Sequence, residues 1–305
     1  MLVDGVFEGG GVRGIAHIGG VQAIEENGYQ WNRLAGTSAG SIIAALLASG
    51  YSSSEIKEVM ESLDYKRFMK GSWIDKVPLI GKGLNLFLNE GLYDNSYEEE
   101  WLDDLLKQKG IRNFDDIEEG KLKIIISDIS NGRMVTIPDD LVRYGESNKF
   151  SIAKAVRMSS TIPFFFRPVK WKVKNQKTFY YIVDGGILSN FPIWIFDSKK
   201  SPKWPTFGFR LIKEEITPIP IKNFGLIGMY KSIFKTMMQA HDLYYLDKET
   251  EVRTIKIPTG TITSTDFHLN EEEKAWLFQS GYKAATKFLK TWDFESYIKK
   301  FRSES

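Results

Sequence analysis

Apolar residues along this chain gather into short runs, set between longer stretches with helical spacing. "LVDGVF" at the front, "KLKIIISDI" (121–129), "RMVTIPD" (133–139), "FYYIVDGG" (179–186), "TFGFRLI" (206–212) and "VRTIKIP" (252–258) are such runs. They are rich in β-branched and aromatic residues and are bounded by turn formers, which predicts strands. A further strand is expected over residues 32–36. Between them, apolar positions recur every three to four residues, which predicts helices. These cover 14–27, 39–49 with Gly50 as its C-cap, 52–69 behind serine caps, 95–110, and 151–161 stopped by "IPFFFRP". Two longer ones are expected at about 222–246 and 270–301. Strands alternating with helices predict an α/β fold: a central, mostly parallel sheet flanked by helices. No internal repeat or linker-like tract interrupts residues 1–305, which read as a single domain.

Residues 70–92 break the pattern. "KGSWIDKVPLIGKGLNLFLNEGL" carries four glycines and a proline among scattered large apolar residues and reads as a long loop or mobile flap. Trp73, Leu79, Ile80, Leu84, Leu86 and Phe87 alternate there with Lys70, Lys76 and Lys82, a mixture suited to an anionic lipid interface. "FGLIGMYKSIFKTMM" (224–238) is a second candidate contact.

Composition narrows the chemistry. The 41 Lys and Arg against 39 Asp and Glu leave a net charge of +2, which gives no case for a nucleic-acid partner. Cysteine is absent, so thiolate catalysis and cysteine-held metals are excluded, and three histidines leave little for a histidine-rich metal site. No run reaches the roughly 18 apolar residues of a membrane span, and the N-terminus lacks the pattern of a secretory signal. The expectation is a cytoplasmic protein that meets membranes only peripherally.

Two glycine-rich turns carry the candidate chemistry. In "EGGGVRG", Gly9, Gly11 and Gly14 satisfy the spacing of a dinucleotide-binding loop. That fold needs an acid about 20 residues further on for the ribose, yet none lies between Arg33 and Ser54. A phosphate loop of the Gly-Lys-Ser/Thr type is missing as well. The slot where the acid should be holds "GTSAG" (36–40), a G-x-S-x-G turn between a strand and a helix. Such a turn lifts the serine hydroxyl above the sheet, and the following helix points its positive end at the site. Ser38 is therefore a candidate nucleophile. Backbone N–H groups of the first loop, around Gly10, Gly11 and Val12, would then face a transient oxyanion, with Arg13 adding positive charge nearby.

A serine nucleophile needs a base. His241 and His268 fit the Ser…Asp…His order only formally, because neither sits on a short loop after a strand, and His17 lies on the helix below the glycine loop, where a packing role is expected. Asp184 ends an apolar strand and is freed by two glycines, so it is the favoured base.

In this order, "EGGGVRGIAHIGG", "GTSAG" and "VDGGILSNFP" resemble the patatin-like phospholipases, whose fold is similar to the catalytic domain of cytosolic phospholipases A. "ISDISNGRMVTI" and "AVRMSSTIPFFFRPV" are weaker similarities, and the resemblance covers about 2–196, with 62–95 matching no motif. It implies a three-layer α/β architecture and a Ser–Asp dyad that works without histidine, metal or cofactor. Carried onto this chain, Ser38 is the nucleophile and Asp184 the base, with Gly9, Gly10, Gly11 and Arg13 matching the oxyanion loop, to which the reading of the amides adds Val12. The implied partner is a phospholipid or another acyl-ester substrate. Acyl transfer, neutral-lipid hydrolysis and a catalytically silent or gated lipid-binding module remain open alternatives.

Overall fold

The structure, a computed structural model, describes residues 1–63, 91–173, 178–213, 247–264 and 266–302, with Arg67, Met229 and Thr236 between them. Nearly all of the proposed flap at 70–92 and the helix expected at 222–246 lie outside the described residues.

Strands β1 (Leu2–Phe7), β2 (Gln30–Thr37), β4 (Leu122–Asp128), β9 (Thr206–Ile212) and β10 (Thr254–Pro258) run parallel in the order β10-β9-β1-β2-β4. Strands β5 (Arg133–Ile137), β7 (Val169–Lys172) and β8 (Phe179–Asp184) complete an eight-stranded sheet through antiparallel pairs. A separate two-stranded sheet pairs β3 (Gly91–Tyr93) with β6 (Phe164–Phe166).

Helices α1 (Ile15–Glu26), α2 (Ala39–Ala48), α3 (Ser53–Glu61), α4 (Ser96–Gln108), α5 (Ile152–Ser160) and α7 (Glu271–Leu289) contribute to one large apolar core. Val3 and Phe7 of β1 point into it, as does Ile126 of β4. Val6 faces the opposite way, into a smaller cluster with Ala35 and Phe196 of the 3-10 turn Ile193–Phe196. The chain is thus a mixed α/β protein whose central sheet is flanked by helices.

Three elements depart from the sequence reading. The helix expected over 270–301 is two, because α7 ends at Leu289 and α8 (Phe294–Phe301) starts afresh behind Asp293. Asp293 accepts the Ser296 amide at 2.7 Å, while Trp292 packs on Phe207 and Phe288 and turns the chain between them. Strand β6 occupies the stretch read as a helix stop, 162–168, and β7 follows it where no element was expected, with Pro163 and Pro168 just outside their ladders. Strand β10 begins at Thr254, because a short helix α6 (Lys248–Val252) takes its predicted start.

Candidate active site

The meeting of Ser38 and Asp184 is dictated by strand β4. One of its edges is filled by β5, which pairs with Ile124 through Asp128. The other edge is shared. Strand β2 runs up it in parallel until Thr37 pairs with Ile125, and β8 runs down it antiparallel until Asp184 pairs with Ile126. The two chains arrive head-on at neighbouring residues of one strand, so both must leave the sheet there.

At the end of β2 the exit is a sharp turn. Ser38 has φ 51 and ψ −129, a backbone region that side chains rarely adopt and that functional turns hold under strain. The flanking glycines are required by close approach: a Cβ on Gly36 would stand 2.3 Å from the Gly40 carbonyl oxygen, and one on Gly40 2.3 Å from that of Phe7. Helix α2 is thereby seated almost on the backbone of β1 and β2. The freed polar groups are paired by Ser159, whose hydroxyl accepts the Ser38 N–H at 2.9 Å and donates to the Ile125 carbonyl at 2.6 Å.

At the end of β8, Asp184 is buried, and its Oδ1 accepts the Gly186 N–H at 2.7 Å. The Ser38 side chain lies close enough to pull the pKa of this carboxyl down. Burial dominates the balance and lifts the Asp184 pKa to about 7, against the smaller opposite pull of Gly186 and Ser38.

The glycine loop follows β1, the parallel neighbour of β2, so all three motifs gather at the carboxyl ends of the central strands. Asn190 ties them together. Its carbonyl accepts the Gly9 N–H at 3.0 Å, and its Nδ2 donates to the Gly9 carbonyl at 3.3 Å and to Glu8 at 3.2 Å. Ser189 accepts the Thr37 hydroxyl at 3.0 Å. Gly11 takes a left-handed φ of 55 and lies so close to Ser264 that a Cβ would strike that residue's carbonyl oxygen.

Five loop residues carry the expected oxyanion role, and their amides differ. Gly9 donates to Asn190, Val12 to Ser264 at 3.2 Å, and Arg13 to Gly10 at 3.3 Å. The Gly10 and Gly11 amides have no acceptor among the described residues. The Arg13 guanidinium donates to the Gly10 carbonyl at 3.2 Å, bracing the loop from behind. Burial lowers its pKa, with Glu8 opposing.

Of the histidines, His17 is buried against Phe7 and Phe209, its Nε2 bonded to the Glu8 carbonyl at 2.8 Å. Burial drives its pKa down to about 4, so it is neutral and structural. His268 is exposed just ahead of the α7 cap, and His241 lies outside the described residues.

Ser38 opens into a small cavity of about 60 Å³. Its walls include Gly11, Val12, Ile42, Ile43, Met60, Leu63, Phe166 and Phe267, with Ser38, Ser160 and Glu98 the polar side chains.

Comparison with known proteins now decides the family. A family model described as patatin-like phospholipase matches residues 5–197, which include both strand ends and the glycine loop. The chain belongs to the patatin-like phospholipase family. It is 40% identical to the uncharacterized protein YqhO of Bacillus subtilis, over 96% of this chain and 100% of that one. It is 26% identical to the probable lipid hydrolase 463L of Invertebrate iridescent virus 6, over 65% of each chain. Among solved structures, VipD from Legionella pneumophila shares the fold with a TM-score of 0.56 at 18% identity, covering 95% of this chain and 66% of that one. The type III effector protein ExoU of Pseudomonas aeruginosa does so at 0.52 and 16%, covering 95% and 52%. Membership in this patatin-like family makes a lipid ester the expected kind of substrate, and no helix among the described residues is long and apolar enough to cross a membrane.

Four residues at the site escaped the sequence reading. Ser159 and Ser160 sat inside "RMSST", which read only as a helix end, and Glu98 was one of three glutamates in "YEEEW". Asn190 fell inside a recognised motif without a role attached. No local pattern distinguishes them; each depends on which strand or helix lies beside it.

Proposed function

We propose that this chain hydrolyses fatty-acyl esters of phospholipids or lysophospholipids through an acyl-serine on Ser38, with Asp184 as the base. The observation that carries the reading is the Ser38 hydroxyl beside a buried carboxyl whose pKa stands at about 7. A base poised near the working pH moves protons most effectively. Asp184 takes the hydroxyl proton as Ser38 Oγ attacks the ester carbonyl. The developing oxyanion is met by the loop, with the Gly10 and Gly11 amides as donors because those of Gly9, Val12 and Arg13 are already engaged. The intermediate collapses, the alcohol leaves with the proton from Asp184, and the acyl chain stays in the apolar cavity. Water then repeats the sequence on the acyl-serine, using the same carboxylate. Contact with lipid surfaces through residues 70–92 belongs to this proposal on the strength of their sequence.

The test is incubation with mixed phospholipid vesicles and identification of products by mass spectrometry, with Ser38→Ala in parallel. Free fatty acid and lysophospholipid from the wild-type chain, absent with the variant, support the proposal. Equal release by both chains overturns it.

A further inference from the structure

Glu98 stands in the wall of the Ser38 cavity, yet the mechanism above gives it nothing to do. It is 5% exposed, on the first turn of α4, and faces a lining that is otherwise almost entirely apolar. One of its oxygens is accounted for: Oε2 lies 2.6 Å from the Ser160 hydroxyl and 3.4 Å from Asn95 Nδ2. The other, Oε1, is buried with no hydrogen-bond partner among the described residues. A buried polar atom left in this state is costly, so it calls for a partner.

The charge state is fixed by the surroundings. Burial is the largest influence and pushes the Glu98 carboxyl up to about 8, with Ser160, Asn95 and Arg157 pulling weakly the other way and Asp184 adding to the rise. At neutral pH the group is therefore mainly a neutral acid. Arg157 cannot neutralise it as an ion pair, because that guanidinium is spent on Asn95, Glu99 and Asp94. The polarity of Oε1 follows from the Ser160 hydroxyl, which can donate either to Oε2 or to the Arg157 carbonyl at 3.2 Å. If it donates to Oε2, the acid proton sits on Oε1, which becomes a donor. If it donates to Arg157, the acid proton serves Ser160 and Oε1 is an acceptor.

A hydroxyl group is the ligand that satisfies either arrangement, since it both donates and accepts. Resting on the reading of this cavity as the acyl site of Ser38, we propose that Glu98 is a specificity-determining residue that selects acyl chains bearing a hydroxyl, pairing it with Oε1. A chain without oxygen would leave Oε1 unpaired against methylenes. A hydroxylated chain whose oxygen lies elsewhere would bury its own hydroxyl unpaired, so the preference is tied to position along the chain. Sites built to bond a hydroxyl discriminate strongly against analogues that lack it, because the unpaired group stays behind in the protein.

The experiment uses p-nitrophenyl esters of one medium-length fatty acid, unsubstituted and monohydroxylated at successive carbons beyond those that lactonise. The quantity read is the ratio of kcat/KM for each hydroxy ester to that of the unsubstituted one. The wild-type chain is expected to favour one hydroxyl position by roughly tenfold, the worth of about one buried hydrogen bond. Glu98→Gln, which keeps a hydrogen-bonding terminus of the same shape, retains that preference. Glu98→Met, of similar size but apolar, abolishes or reverses it. A merely structural Glu98 would lower all esters together and leave the ratios unmoved, and that result overturns the inference. So does a flat wild-type profile, which needs no variant to fold. Hydrolysis of all esters that disappears in Ser38→Ala, combined with flat ratios, removes the role of Glu98 and leaves the proposed function standing. No Ser38-dependent hydrolysis of any ester removes both.

Discussion

At the scale of single residues, the site rests on two conflicts with ordinary preference: a serine held at positive φ and an aspartate held out of water. The second has a measurable sign. The folded pKa of Asp184, about 7, lies above the 3.8 of a free aspartate, so the native state binds an extra proton between those values. Stability contributed by the neutral acid is present at low pH and is lost as pH rises through that window. Activity runs the other way, because only the ionised carboxylate accepts a proton. We expect kcat/KM to rise with pH through about 7, read from a pH–rate profile on a soluble ester. Asp184→Asn is expected to lose activity by a factor on the order of 10⁴. The same variant should raise the melting temperature at pH 8 and have little effect at pH 4, read by thermal unfolding. Opposite signs for activity and stability from one substitution are the mark of a residue kept for chemistry.

Ser159 gives the residue scale a second prediction. Its hydroxyl serves both the Ser38 amide and the Ile125 carbonyl at the strand junction. Ser159→Ala leaves two buried backbone groups unpaired, which costs about 1–3 kcal/mol of stability. We also expect roughly a tenfold fall in kcat, because the turn that aims Ser38 loses its support.

At the scale of elements, the collision of β2 and β8 on one edge of β4 explains why the nucleophile and base come from residues 38 and 184 of the chain. The motifs at these strand ends were legible in the sequence, because the turns demand residues that stand out: glycines on either side of Ser38 and two after Asp184. The α/β class and the starts of β1, β8 and β9 were legible for a related reason, since buried strands are apolar and end abruptly. Shared occupancy of the β4 edge was not, because pairing between distant strands leaves no local trace. Strands β6 and β7 were hidden by flanking prolines, and the break before α8 by a helical spacing that resumes after four residues. Gly36→Ala or Gly40→Ala would drive a methyl into backbone at 2.3 Å. Either is expected to cost about 3 kcal/mol or more, read by urea unfolding, with activity lost in the same step.

At the scale of the whole molecule, the sheet draws strands from Leu2 to Pro258, and α7 closes over α1 from the far end of the chain. No described part carries a core of its own apart from the small cluster around Phe196. We therefore predict a single cooperative thermal transition by calorimetry, with calorimetric and van't Hoff enthalpies in agreement. Two separated transitions would contradict a single domain.

Ser38 acts in the proposed function as a nucleophile activated without histidine, and every further step depends on it. The direct measurement is reaction of the intact chain with a serine-directed alkyl phosphonate, followed by mass-spectrometric mapping of the adduct. The prediction is one phosphonyl group per chain, carried on Ser38, formed far more slowly in Asp184→Asn and unaffected by His17→Gln in any refolded protein. An adduct on another residue, or none on a folded chain at pH 8, would contradict it.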